Sequence, residues 1–178
     1  MKYLLVFVLM LVGCTQAVVP STSQSTGSST SVATPTPVAS PTCSPAGGTP
    51  RACSAEEYQK VQEQNRLTEE AIALYRRWTK ESTRLYRAGG TNKATPEMLA
   101  TLAGEYRRSA LGVFKDLKDT RARAVVGGVE ITKIGPNASV DVIAGTASIT
   151  ACLDGRSLRF ERGGKTIARG SVAVEDVI

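Results

Sequence analysis

The chain has 178 residues, with 22 Lys and Arg against 16 Asp and Glu, a formal net charge of +6 and no histidine. The missing histidine removes Ser-His-Asp and Cys-His nucleophile arrangements, imidazole metal ligands and histidine pH switching together. Once the non-globular segments below are set aside, the remainder suits one small domain with a single core.

The first element is an apolar run from Tyr3 to Val12 behind Lys2, closed by Leu11-Val12-Gly13-Cys14. One charge, about ten apolar residues and a small residue before the cut describe a secretory signal, too short to cross a bilayer as a helix. The four closing residues resemble the lipobox of bacterial lipoproteins. That resemblance implies a diacylglyceryl group on the Cys14 thiol, cleavage after residue 13, and a protein held on the extracytoplasmic face of the cell membrane.

Residues 14–52 change to Ser, Thr, Pro and Gly, with six of the eight prolines and one charge, Arg51. Nothing in this segment can build a core, so it reads as a disordered, partly extended tether with a reach of a few tens of ångströms. Without Lys2 and Arg51 the rest carries 20 basic and 16 acidic residues, a net +4. Behind a lipidated Cys14, three cysteines face an oxidising compartment and cannot all pair within one chain. Cys43 with Cys53 is the favoured disulfide, because Pro45, Gly47, Gly48 and Pro50 ease ring closure. Cys53 with Cys152 would instead close a loop of about 100 residues, nominally worth about 4.7 kcal/mol.

Residues 53–178 form the expected domain. A long helix starts at the N-cap Ser54, with Glu56 and Glu57 in its first turn, and ends near Arg87 before Gly89-Gly90. Val61, Asn65, Ile72, Tyr75 and Tyr86 share one stripe; Leu67, Ala71, Leu74, Trp78 and Leu85 share the next. Arg76, Arg77, Lys80 and Glu81 fall on the outside. Thr95-Pro96-Glu97 opens a second helix, with Leu99, Leu102, Tyr106, Val113 and Leu117 on its inner face. Gly104 and Gly112 weaken it, and a break is expected between Ser109 and Gly112.

From Arg121 the period becomes two. Val129 to Ile134, Val140 to Leu153, Leu158 to Glu161 and Thr166 to Val177 read as strands, with turns at Gly135-Pro136-Asn137, Asp154-Gly155 and Gly163-Gly164. Gly127-Gly128 and Gly145 mark bulges or bends. The fold class is therefore α+β, two or three N-terminal helices packed on a curved antiparallel sheet.

The order of elements, together with Tyr75-Arg76-Arg77-Trp78, Leu85-Tyr86-Arg87-Ala88-Gly89-Gly90 and Ala151-Cys152-Leu153-Asp154, resembles the small tethered domains of actinobacterial envelope lipoproteins. These in turn are similar to the cone-shaped nuclear-transport-factor-two-like fold. The resemblance covers Cys53 to Ile178. It implies a cone open at one end, in a superfamily that holds isomerases, dehydratases, cyclases and domains without chemistry.

An acid-base enzyme of the ketosteroid-isomerase kind would need a carboxylate in the cone and a phenol to stabilise an enolate. The strand carboxylates are Glu130, Asp141 and Asp154, and the helix phenols Tyr75, Tyr86 and Tyr106. Alternation turns Glu130 and Asp141 to solvent, and Asp154 reads as a turn residue; Trp78 and the tyrosines read as core aromatics. No residue is assigned a catalytic, cofactor-binding or metal-binding role.

The basic residues Arg76, Arg77, Lys80, Arg84 and Arg87, and Arg107, Arg108, Lys115, Lys118, Arg121 and Arg123, are interleaved with acids, as on a solvated face. There is neither an aromatic platform for nucleic acid nor a phosphate-cradling loop, so no nucleic-acid partner is expected. The expected function is a membrane-anchored binding or interaction module whose partner is an envelope protein or a small apolar ligand. The alternatives are an acid-base enzyme on a strand carboxylate, and a surface exclusion lipoprotein of the type temperate phages express.

Overall fold

The computed structural model describes residues 40–137 and 145–177, all within the second of the chain's two units, which begins at Ala39. The signal, Cys14, the first part of the tether, and Asp141 with its neighbours lie outside the described residues. The described part is α+β, with three helices and antiparallel sheets.

Helix α1, Ala55–Ala88, starts where Ser54 and Glu57 cap each other. The Glu57 amide donates to Ser54 Oγ at 3.1 Å, and the Ser54 amide donates to Glu57 Oε2 at 2.9 Å. This reciprocal pairing satisfies two of the orphan donors at the helix start. Left-handed Gly89, at φ 76°, returns its amide to the last turn. Tyr75, Trp78 and Leu85 are buried on the inward stripe. Glu81, assigned to the outside by spacing, is instead only 8 % exposed, because the chain folds back over it at Thr95.

The second helical stretch divides into α2, Pro96–Thr101, and α3, Gly104–Thr120. The break falls at Leu102 and Ala103, both extended, and not between Ser109 and Gly112. Gly104, at φ 50°, makes the re-entry, a conformation that costs glycine little. Gly112 continues inside α3. The break resets the facing of side chains, so Leu99 and Val113 are 55 % and 49 % exposed and no single inner stripe runs from residue 99 to 117. Leu102 and Leu117 do point inward as expected, joined by Met98, Ala110, Leu111 and Phe114.

Three antiparallel chain segments, each bent at its middle, build two three-stranded sheets. The segments are β3, Arg123–Val126, with β4, Glu130–Pro136; β5, Ile149–Asp154, with β6, Arg159–Arg162; and β7, Lys165–Arg169, with β8, Val172–Val177. One sheet is ordered β4-β5-β8 and the other β3-β6-β7, the same sequence of segments in both. The bend needs glycine. Gly127 adopts φ 82°, and a Cβ there would lie 2.1 Å from the Ser157 carbonyl oxygen; at Gly170 it would lie 2.0 Å from the Gly155 oxygen. The second bend divides the strand expected from Thr166 to Val177.

On the helix-facing side Ile149, Ala151 and Leu153 pack with Tyr75, Trp78, Leu85, Met98, Leu102 and Phe114. Phe114 is the central ring, edge-on to Trp78 at 6.0 Å and tilted against Tyr86 at 5.1 Å. Such aromatic pairs add to the stabilisation from buried area.

Residues 40–52 are part of this folded unit and not of the tether. Thr42–Cys43 (β1) pairs with Arg51–Ala52 (β2), and Cys43 and Cys53 are joined by a disulfide with Cα atoms 5.8 Å apart. The Ala46 amide donates to Asn65 Oδ1 at 2.8 Å, and Asn65 Nδ2 donates to the Ser44 oxygen at 2.9 Å. Asn65, counted by spacing on an apolar stripe, thus clamps a proline-rich hairpin to α1. Composition misplaces this segment because its order comes from a disulfide whose Cys43 is fully buried and from the Asn65 amide, not from a run of apolar residues. Cys152 is a buried thiol on β5.

Candidate functional site

A cleft of about 490 Å³ opens between α1, the α2–α3 break and the end of β8. Its walls include Leu67, Ala71 and Leu74 from α1, Leu102 and Ala103 from the break, and Val177 from β8. Tyr75, Trp78 and Tyr106 supply aromatic surface, and Glu70 and Asp176 stand at the polar margin. The size and mostly apolar lining are those of small-molecule sites. The helix break creates it: α1 continues straight while Leu102 and Ala103 pass in extended form, so the α2–α3 layer does not close over Ala71 and Leu74.

Behind the aromatic wall lies Glu175 on β8. Its phase is set by the pairing of Ala151 with Glu175 and Ile149 with Val177, which puts Glu175 on the helix-facing side of the sheet. Tyr75 donates its phenol to Glu175 Oε2 at 2.6 Å, and Tyr106 donates to the same oxygen at 3.1 Å. Burial raises the Tyr75 phenol well above the ordinary tyrosine value, and the Glu175 carboxylate reinforces the shift. Tyr106 is pushed up to about 12 by the same two causes, countered in part by the indole N–H of Trp78. Both phenols therefore stay protonated donors through the physiological range. Asp176, one residue on, accepts from Thr150 Oγ1. Among the described residues neither Glu175 nor Asp176 has a Lys or Arg partner, whereas Glu70 pairs with Arg66 at 3.1 Å.

The carboxylates singled out from sequence are not in the cleft. Glu130 is exposed at the end of β4, opposite Asp154. Asp154 binds Arg156 in the turn after β5, and that guanidinium with the Arg156 amide lowers its carboxyl to about 2. Asp141 is outside the described residues. Tyr86 packs between Phe114 and Phe160, and burial raises its phenol. Sequence reasoning missed Glu175. Alternation puts Glu175 on the same side as Ala173 and Val177, but which side faces the helices is set only by the pairing with Ala151.

The opposite flank of α1 is basic. Arg77 pairs with Glu97 at 2.8 Å, Arg84 with Glu81 at 2.6 Å, and Arg87 donates to the Gly127 oxygen at 2.6 Å. Glu81 also accepts from Thr95 Oγ1 at 2.8 Å, and Thr95 in turn caps α2 by accepting the Met98 amide. The Arg84 and Thr95 donors together hold the Glu81 carboxyl below its ordinary value. Arg76, Lys80 and Lys133 line a shallow groove beside β4 together with Thr79, Thr83 and Thr132. No group of three His, Cys, Asp or Glu side chains suited to a metal is found among the described residues. No helix among them is long and apolar enough to cross a membrane.

Comparison with protein-family models, with curated proteins and with solved structures gives no match.

Proposed function

We propose that the protein is a lipoprotein of the cell envelope, anchored through acyl chains on Cys14 at the extracytoplasmic face, whose α+β domain binds a small, largely apolar ligand in the cleft beside Tyr75, Trp78 and Tyr106. The observation that carries the binding reading is the cleft itself, about 490 Å³ with an apolar majority in its walls. The anchor rests on Leu11-Val12-Gly13-Cys14. A long helix against a glycine-bent antiparallel sheet supports a cone of the nuclear-transport-factor-two-like kind, with the cleft at its mouth.

Acid-base turnover is the second reading, favoured by the Glu175 carboxylate beside two phenols. The pairing tells against it as a base. Both phenols already donate to one oxygen, and that oxygen must give up a donor before it can accept a substrate proton. Two experiments test the proposal. Cys14→Ser should abolish fatty-acid labelling and release the domain from membranes, since stable attachment needs more than one acyl chain; labelling that persists refutes the anchor. Octanol should change the fluorescence of Trp78, the one tryptophan in the chain, in a saturable way. Ala71→Phe, which fills the cleft, should remove that response. A linear, unsaturable response in both proteins refutes the site.

A further inference from the structure

We infer that the ligand is a small organic cation: an ammonium group carrying an apolar body, taken from solution as a free molecule. The inference rests on the binding reading above and adds the ligand's chemical class.

The walls decide the charge. Among the described residues lining the cleft there is no Lys or Arg, although the chain as a whole carries a net charge of +6. The polar margin offers Asp176, and directly behind Tyr75 and Tyr106 lies Glu175; hydroxyls alone meet both carboxylates among the described residues. Among the described residues no Lys or Arg meets Glu175 or Asp176, and a cationic ligand can supply the opposite charge.

The aromatic faces point the same way. A cation is attracted to the electron-rich faces of Trp and Tyr rings, most strongly where water is excluded, and quaternary ammonium groups are recognised in aromatic cages of this composition. Donation by the two phenols to Glu175 fixes both rings; Tyr106, 44 % exposed, offers its ring to the guest, while Tyr75 and Trp78 are buried at the floor of the cleft. Leu67, Ala71 and Leu74 extend the cleft along α1 and suit a short aliphatic body. The cleft is the size of a small-molecule site, far short of a two-chain lipid, which favours a free molecule over a membrane headgroup. An anion would meet Asp176 and Glu175 with no cation in the walls, and a neutral ligand would leave them as they are.

The test uses the full chain reconstituted in vesicles of uncharged galactolipid, with partition into empty vesicles subtracted and Trp78 fluorescence as the signal. The probes are octyltrimethylammonium, octanol and octyl sulfate, which share a tail and differ in charge. Octyltrimethylammonium should saturate one site and bind about tenfold or more tighter than either of the others, the ratio expected when ring faces and a carboxylate both favour it. Glu175→Gln combined with Asp176→Asn should erase most of that preference, read as the ratio of octyltrimethylammonium to octanol affinity within the same variant. Asp176→Asn alone, at an exposed position, should narrow it and serves if the double variant fails to fold. Equal binding of octanol or octyl sulfate overturns the cation inference while leaving a binding cleft. Saturable binding by none of the three overturns both. A preference that survives both variants overturns the assignment to these carboxylates.

Discussion

The two flanks of α1 treat charge in opposite ways. On the flank with Arg77, Glu81, Arg84 and Arg87, charged groups are largely spent on the fold: each has a partner, and the Glu81–Thr95 contact holds the start of α2. The cations left over, Arg76, Lys80 and Lys133, border a shallow polar groove where water can solvate them. On the cleft flank Glu175 is half-buried behind Tyr75 and Tyr106, and among the described residues it receives phenol donors and no Lys or Arg. An unpaired charge in water says little about function, whereas one held beside an apolar cavity calls for a partner. The cleft is the informative flank for that reason, although the basic flank holds more charges.

The largest perturbation should come from Phe114, the ring between Trp78 on the cleft side and Tyr86 on the other. Phe114→Ala should cost about 3–5 kcal/mol in chemical denaturation, as for other fully buried aromatics. It should also shift Trp78 emission in the folded protein; an unshifted emission would mean that the flanks do not share this wall. Next comes the hairpin at the start of α1. Converting both Cys43 and Cys53 to serine opens a ring spanning a sequence separation of 10. The loop-entropy expectation for so short a ring is about 2–3 kcal/mol, read as a fall in the denaturation midpoint. A negligible loss would return residues 40–52 to the tether.

Glu81→Ala removes the partner of Arg84 and of the Thr95 cap, and should cost about 1–2 kcal/mol. Because the folded carboxyl is held below its ordinary value, this contribution is present at neutral pH and lost as pH falls below about 4. Wild type and Glu81→Ala should therefore converge in acid; parallel curves down to pH 2 would mean the pair contributes only packing. The smallest effect at neutral pH should come from Tyr106→Phe. Its phenol is raised, so the neutral form is favoured in the fold. That contribution is complete below about pH 10, the unfolded value, and is lost as pH rises towards about 12. Tyr106→Phe should flatten the alkaline decline in stability, and an unchanged decline would place the titration elsewhere.

Much of this architecture was legible in the sequence where local chemistry decides structure. Ser54 with Glu57 marks the start of α1, Gly89 its end, and Gly127-Gly128 a bend. Three features were not legible, each for a physical reason. Residues 40–52 look like a tether because their order depends on the disulfide and on Asn65, neither of which shows in hydrophobic periodicity. The break at Leu102 is fixed by tertiary packing of Met98 and Leu102 on the core, which overrides the propensity argument that favoured Gly112. Glu175 escaped notice because its side of the sheet is set by register with Ala151, a contact across more than twenty residues of chain.

Whether the cleft is an open site beside which Glu175 and Asp176 select a cation is tested most directly by a crystal structure with octyltrimethylammonium present. The expected result is the tail along Leu67, Ala71 and Leu74, with the ammonium within about 6 Å of the Trp78 or Tyr106 ring and on the side of Glu175. A cleft filled by its own side chains, or the head group bound elsewhere, would contradict it.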